Sequence, residues 1–344
     1  MITSIALSLF WFGSASAAPV GQSGETLGAA LERAPLSVVA SVMGRSPVGR
    51  RYLVTQLRIE RVLHRAPGIS SGLQVGLVIQ LRTLAKLDHA VRLETGERAL
   101  VFLRENPSRR FFEGLAAIVL TKDEDGRALE AAAIELAAAQ ALGGVARDQA
   151  LVRVFSKQAR EQGPAIARDA ALELVRAPRL GRLLPIVEQQ GLVLRLEKEP
   201  NSSPAKLALI ELCGSLKAPG TAAALVAALG APKSARICGL ACRALKHLDE
   251  GTTGPQLIEA LGAAKLPGGR LSLIRAIEEL EFRAAQPELQ KLIDAKGLDA
   301  TVRAAALRAI RRFERPAVKK RPELVKPGGS KRTGPIFQPT PRSE

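Results

Sequence analysis

Aromatic side chains are scarce: only 3% of the 344 residues are Phe, Trp or Tyr, with Trp11 and Tyr52 the sole representatives of their types. A stacking platform for bases or sugars needs several exposed rings, so this scarcity argues against one. Cysteine is equally sparse, and the odd set Cys213, Cys238 and Cys242 supplies no regular disulfide framework. Cys238 and Cys242 fall four apart on a predicted helix, where Cβ atoms lie ~5 to 6 Å apart, beyond the ~3.5 to 4.5 Å a bridge prefers. Pairing of Cys213 with one of them across adjacent helices stays open, and packing as small side chains is the simpler expectation. Histidine is limited to His64, His89 and His247, so a three-histidine metal centre would need all of them from two separate regions. The spacing of Cys238, Cys242 and His247 matches no zinc signature. His64 beside Arg65 and Asp88 beside His89 point to opposite strand faces and are accompanied by no nucleophile motif. G-x-S-x-G, H-E-x-x-H and a Gly-rich loop ending in Lys-Ser/Thr are all missing, which disfavours hydrolase, metalloprotease and nucleotidase chemistry. No catalytic, cofactor-binding or metal-ligating residue is therefore expected.

Acidic residues are also in deficit. Lys plus Arg number 50 against 33 Asp plus Glu, a net charge of +17 that favours anionic partners without naming one. The 47% hydrophobic content is dominated by Ala and Leu, which points to closely packed helices.

The one apolar run near the start, Ile5–Phe12, is too short to span a bilayer. It is followed by Ala15-Ser16-Ala17, an A-x-A cleavage pattern, and Pro19 disfavours a cut after Ala18. Residues 1–17 therefore read as a signal peptide cleaved after Ala17, although no Lys or Arg precedes the run. The mature chain is expected in the periplasm or outside the cell, with no transmembrane segment and with residues 18–35 as a linker or first helix.

From 36 to 122 the strand period dominates. Leu36–Met43, Tyr52–Leu63, Leu73–Leu81, Arg98–Leu103 and Leu115–Thr121 read as five strands of a small barrel or sandwich. In the second, Leu53, Thr55, Leu57, Ile59 and Arg61 form the mostly core-facing set, and Val54, Gln56, Arg58, Glu60 and Val62 the wetter one. The strand order, the long strand ending in RIERVLHRAPG and the Gly96-Glu97-Arg98 turn resemble the OB-like β domains at the front of exported bacterial proteins. That resemblance implies a fold and transfers no function.

KDEDGR at 122–127 marks a boundary, after which Ala-rich Leu129–Leu142 predicts a buried connecting helix within 123–146. Residues 147–314 repeat. Starts at Ala167, Ala205, Ile237, Gly269 and Val302 are separated by 38, 32, 32 and 33 residues, with apolar side chains four, seven and eight positions later. Shorter apolar helices intervene near Asp148–Gln158, Leu183–Gln190, Thr221–Leu229, Gln256–Leu261 and Pro287–Asp294. One hairpin cannot bury its own apolar face, so about five must stack into an α-solenoid. The V-R-x-x-A-x-x-A-L pattern, clearest in Val302–Ile310, resembles the short HEAT repeats, including the bilin-lyase-like kind. The resemblance implies a scaffold or docking surface. The second repeat position is basic at Arg168, Lys206, Arg270 and Arg303 and departs at Cys238. These four are candidate interaction residues, with snorkelling over the core as the structural counterpart.

Residues 315–344 combine Pro, Gly and Lys with a net charge of +6 and read as a basic disordered tail, with Lys319, Lys320 and Arg321 as further candidates. The fold class is thus α+β multidomain: an OB-like barrel followed by a HEAT-like solenoid. The function expected is an exported, non-enzymatic scaffold that uses no cofactor and docks a protein or an anionic envelope component. Nucleic-acid binding is the alternative for a cytoplasmic location.

Overall fold

The computed structural model describes residues 26–48, 52–66, 73–84, 93–106, 111–230, 234–248 and 250–314. The expected signal peptide, His89 and the basic tail with Lys319, Lys320 and Arg321 lie outside the described residues. Five strands precede about a dozen helices, an α+β layout.

The strands are β1 Leu36–Val48, β2 Tyr52–Arg65, β3 Val78–Leu84, β4 Arg98–Asn106 and β5 Phe111–Val119. They close into a barrel in the order β1-β2-β3-β5-β4, every pair antiparallel except β3 with β5. Strand β1 pairs with β2 over its length and with β4 over Leu36–Ser41. Register shifts in the β1 and β2 pairing are the bulges that let one strand bend into two walls. One of them corrects the simple alternation expected for β2: Ala40 opposes Ile59 but Val39 opposes Arg61. As a result Arg61 is exposed and Val62 packs toward the barrel interior. The third strand begins at Val78 rather than Leu73, because Gly76 (φ +89°) closes a turn in which the Leu77 amide donates to the Gln74 carbonyl at 3.1 Å. Before β4, Gly96 (φ +88°) and the Glu97 amide repeat this arrangement.

The barrel has two apolar sides. Leu36, Val38, Leu57, Leu81, Val101 and Leu103 fill its interior. Val39, Leu100, Phe102, Ile118 and Leu120 point outward into a second core shared with the helices. The run Ala99–Leu103 is apolar throughout because β4 is buried on both faces. Helix α1 (Leu27–Arg33), within the stretch expected as a linker or first helix, and α2 (Glu124–Gln140) contribute Leu27, Leu31, Ala132 and Leu136 to that shared core. Asp123 caps α2 by accepting from the Gly126 amide at 3.0 Å. A Cβ at Gly126 would lie 2.0 Å from the Thr121 carbonyl oxygen, so only glycine fits this entry. Polar contacts reinforce the junction. Arg98 on β4 donates to both carboxylate oxygens of Glu130 on α2, at 2.5 and 2.8 Å, and to Glu60 on β2 at 2.5 Å. The Arg98 hydrogen bonds hold the Glu130 carboxyl below its usual range. Burial opposes the Glu60 charge, yet hydrogen bonds from Ser41 and Arg98 lower that carboxyl as well.

The remaining helices are α3 Gly144–Glu161, α4 Pro164–Arg176, α5 Pro178–Gly181, α6 Ile186–Lys198, α7 Pro204–Leu216, α8 Thr221–Gly230, α9 Ala235–Leu245, α10 Glu250–Ala263, α11 Pro267–Glu279, α12 Gln286–Asp294 and α13 Ala300–Glu314. Proline opens α4, α7 and α11, where its missing amide costs nothing. The five repeat starts fall on α4, α7, α9, α11 and α13, which pack in that succession. Of the side chains four, seven and eight positions on, all are buried except Val175, which is partly so. The first interval is longer because Pro178 ends α4, α5 adds a turn, and α6 begins only after Pro185. The apolar helix expected at Leu183–Gln190 thus lies further along the chain, at Ile186–Lys198. No described helix is long and apolar enough to cross a membrane.

Candidate functional site

A helix leaves its last carbonyls without intrahelical donors, at the negative end of its dipole. In three of the five repeats the basic residue at the second position is spent there. Lys206, only 4% exposed, donates from Nζ to the carbonyls of Leu196 at 2.6 Å and Glu199 at 3.0 Å, at the end of α6. Arg270 Nε reaches the Ala264 carbonyl just beyond α10 at 2.7 Å, and Arg303 Nη2 the Ala295 carbonyl beyond α12 at 3.5 Å. Each ties a repeat to the helix before it. Lys206, one of the four candidate interaction residues, therefore cannot meet a partner. Arg303 remains exposed, and Arg168 lies half-buried beside Asp169 at 3.9 Å. Cys238, at the departing position, instead has its Sγ 3.4 Å from Ser272 Oγ on α11.

A second series of charged residues lies at another register, six residues after each start. There the chain carries Glu173, Glu211, Arg243, Arg275 and Arg308, a change of sign between α7 and α9. Positions nine and ten lie on the same helical side and add Lys246, Glu278, Glu279, Arg311 and Arg312. Carboxylates of α11 stitch the three helices together. Glu279 pairs with Arg275 at 2.9 Å and with Lys246, the residue that caps α9, at 3.9 Å, while Glu278 pairs with Arg308 and Arg312 of α13 at 3.2 and 3.7 Å. Glu281 pairs with Arg312 at 3.4 Å. Six cations thus outnumber three carboxylates. Arg243 and Arg311 are exposed and engage no carboxylate among the described residues. Exposed pairs of this kind stabilise by about 0 to 1 kcal/mol each, so folding does not require so many arginines. Residues 300–344 alone carry 12 basic and 3 acidic side chains, more than half of the net charge.

On the first repeat, α1 packs against α4. Asp169 accepts from the Leu27 amide at 3.2 Å, Glu173 accepts from the Thr26 hydroxyl, and Arg176 reaches that hydroxyl at 3.4 Å. A cavity of about 100 Å³ lies behind them, lined by Ile118, Leu136, Phe155, Gln158, Arg168 and Asp169. It is smaller than the ~300 to 1,000 Å³ of usual ligand pockets. Its carboxylates are committed to α1, and Gln158 donates to the Ala132 carbonyl at 3.2 Å.

Burial pushes the Asp169 and Glu173 carboxyls above their ordinary values of 3.8 and 4.5. The Leu27 amide, Arg168 and Arg176 oppose this at Asp169. Arg176 opposes it at Glu173, where Glu32 of α1, itself paired with Arg147, reinforces it. With folded values above unfolded ones, the favourable contribution of the pair is complete below the unfolded values and is lost as pH rises through the folded ones. Relative to an Asp169→Asn/Glu173→Gln variant, the wild type should lose stability in urea titrations as pH rises from about 4 to about 7. A gap that stays flat or widens in the wild type's favour would contradict this burial.

The three cysteines are free and buried. Burial pushes the Cys213 and Cys242 thiols up to about 12, so both stay protonated and inert. His64 is half-buried on β2, where burial lowers its pKa, and His247 is exposed in the turn after α9. Among the described residues, no three His, Cys, Asp or Glu side chains converge as a metal site. Comparison of the chain with protein-family models and with curated proteins returned no match.

Proposed function

We infer that this chain is an exported, non-enzymatic docking protein in which an OB-like barrel supports a HEAT-like α-solenoid, whose C-terminal repeats meet a protein or an anionic envelope component. The single parallel pairing of β3 with β5 in an otherwise antiparallel closed barrel supports the OB-like reading. The succession α4, α7, α9, α11 and α13, with a second-position cation latching three of the repeats to the preceding helix, supports the solenoid reading. The observation that carries the function is the charge reversal at the sixth register position: exposed Arg243, Arg275 and Arg308 recur at the repeat interval on successive helices.

Mass spectrometry of the mature amino terminus, combined with cell fractionation, tests the export half. A chain beginning at Ala18 in the periplasmic or secreted fraction is expected, and Met1 retained in a cytoplasmic fraction overturns it. Recovery of partners from periplasmic extract with and without residues 315–344 tests whether the tail contributes, and identical recoveries would exclude a tail-dependent partner. Nucleic-acid binding draws on the same basic face and is the alternative for a cytoplasmic protein. It predicts a steep fall of affinity with salt and specific binding that survives physiological ionic strength.

A further inference from the structure

We propose that the face formed by α9, α11 and α13 receives an acidic helical segment of a partner protein, whose carboxylates meet Arg243, Arg275 and Arg308. The inference rests on the docking reading above and specifies its ligand. The molecule contains its own example of a helix held against a repeat. Helix α1 packs against α4, and its amino-terminal end, the positive end of the dipole, is held by Asp169 and Glu173, two and six positions into the repeat. Glu173 and the three arginines occupy the same register position, so the later repeats present the opposite charge where the first repeat grips a helix. The complement of an arginine there is a carboxylate or the negative end of a helix.

Spacing favours the same occupant. Packed helices stand about 8 to 10 Å apart, and residues seven apart along an α-helix are separated by about 10.5 Å. Glutamates or aspartates at every seventh position would therefore come into step with arginines on successive helices. The interleaved Glu278, Glu279 and Glu281 disfavour a uniform polyphosphate, which they would repel, and suit a protein surface of mixed charge with basic residues between its acidic ones. A bilayer surface would call for several exposed apolar side chains beside the cations, whereas among the described residues of α9, α11 and α13 Leu307 alone is a large exposed hydrophobic.

The test uses the full mature chain and fluorescence anisotropy at physiological salt. The probe is a labelled 21-residue alanine-based helical peptide with glutamates seven apart, and a lysine counterpart, a 20-base-pair DNA duplex and phosphatidylglycerol vesicles serve as comparison ligands. The expected result is binding of the glutamate peptide in preference to all three. That binding should weaken at least tenfold in an Arg243→Glu/Arg275→Glu/Arg308→Glu variant of unchanged circular dichroism, and less than twofold on deletion of residues 315–344. Glu211→Arg, which extends the series onto α7 at an exposed position, should tighten it at least twofold, a gain that misfolding cannot mimic. Peptide affinity indifferent to the triple substitution and to Glu211→Arg overturns the proposal. If the duplex or the vesicles bind more tightly and lose binding in the triple variant, the acidic-helix assignment falls while the docking face stands. If none of the ligands binds, the docking reading falls with it.

Discussion

Replacing Phe102 by alanine should lower the unfolding free energy by about 3 to 5 kcal/mol, the range for deleting a buried aromatic ring. The residue is 1% exposed, yet it does not lie inside the barrel. Its ring projects from the outer side of β4 into the core shared with α1, α2 and the first repeats. The cavity left behind would open at the seam between barrel and helices, so the damage should be felt on both sides. Val101→Ala provides the contrast, because Val101 points into the barrel interior from the same strand. Urea titration by far-UV circular dichroism measures the loss, and amide exchange locates it. Faster exchange in α1 and α2 is expected for Phe102→Ala and not for Val101→Ala. A loss below about 1 kcal/mol would mean that the seam adds little to stability.

Lys206→Ala should cost about 2 to 4 kcal/mol, because it orphans two buried carbonyls at the end of α6, each with a desolvation penalty of roughly 1 to 3 kcal/mol. Lys206→Met, which keeps the apolar stem, should recover the packing part of that loss but not the hydrogen bonds. Arg303→Ala removes the corresponding contact at an exposed site, where water replaces the lost donor, and should cost less than about 1 kcal/mol. Thermal unfolding of the three variants under one set of conditions gives the ranking. Equal effects at Lys206 and Arg303 would refute the idea that burial, rather than the shared register, makes the lysine matter.

These predictions also show how differently the two kinds of pattern could be read in advance. The apolar repeat at positions four, seven and eight was legible because each such side chain must leave water, whatever its neighbours are. The strands were legible for the same reason, except where a bulge turned Val62 inward instead of Arg61, where Gly76 delayed β3, and at the ends of β1 and β5, which run to Val48 rather than Met43 and over Phe111–Val119 rather than Leu115–Thr121. The cations were harder to read. A basic residue is content at the surface, at a helix end or under a neighbouring helix, and a one-dimensional register does not choose among these. The second position is the more regular of the two, although Lys206, Arg270 and Arg303 are turned back onto carbonyls at the end of the preceding helix. The sixth position held a sign change from Glu211 to Arg243 that was visible in the residues themselves. Its meaning depended on knowing which side of each helix stays wet.

Composition and periodicity alone therefore determined the division into strands and then helices, the repeat interval and the excess of positive charge, since these follow from which side chains water rejects and which it tolerates. Tertiary structure decided the closure of the barrel, the burial of β4 on both faces, the capture of α1 by Asp169 and Glu173, and the fate of each cation. Those outcomes depend on distances between residues far apart in the chain, where a single ångström separates a hydrogen-bonded ammonium from a solvated one.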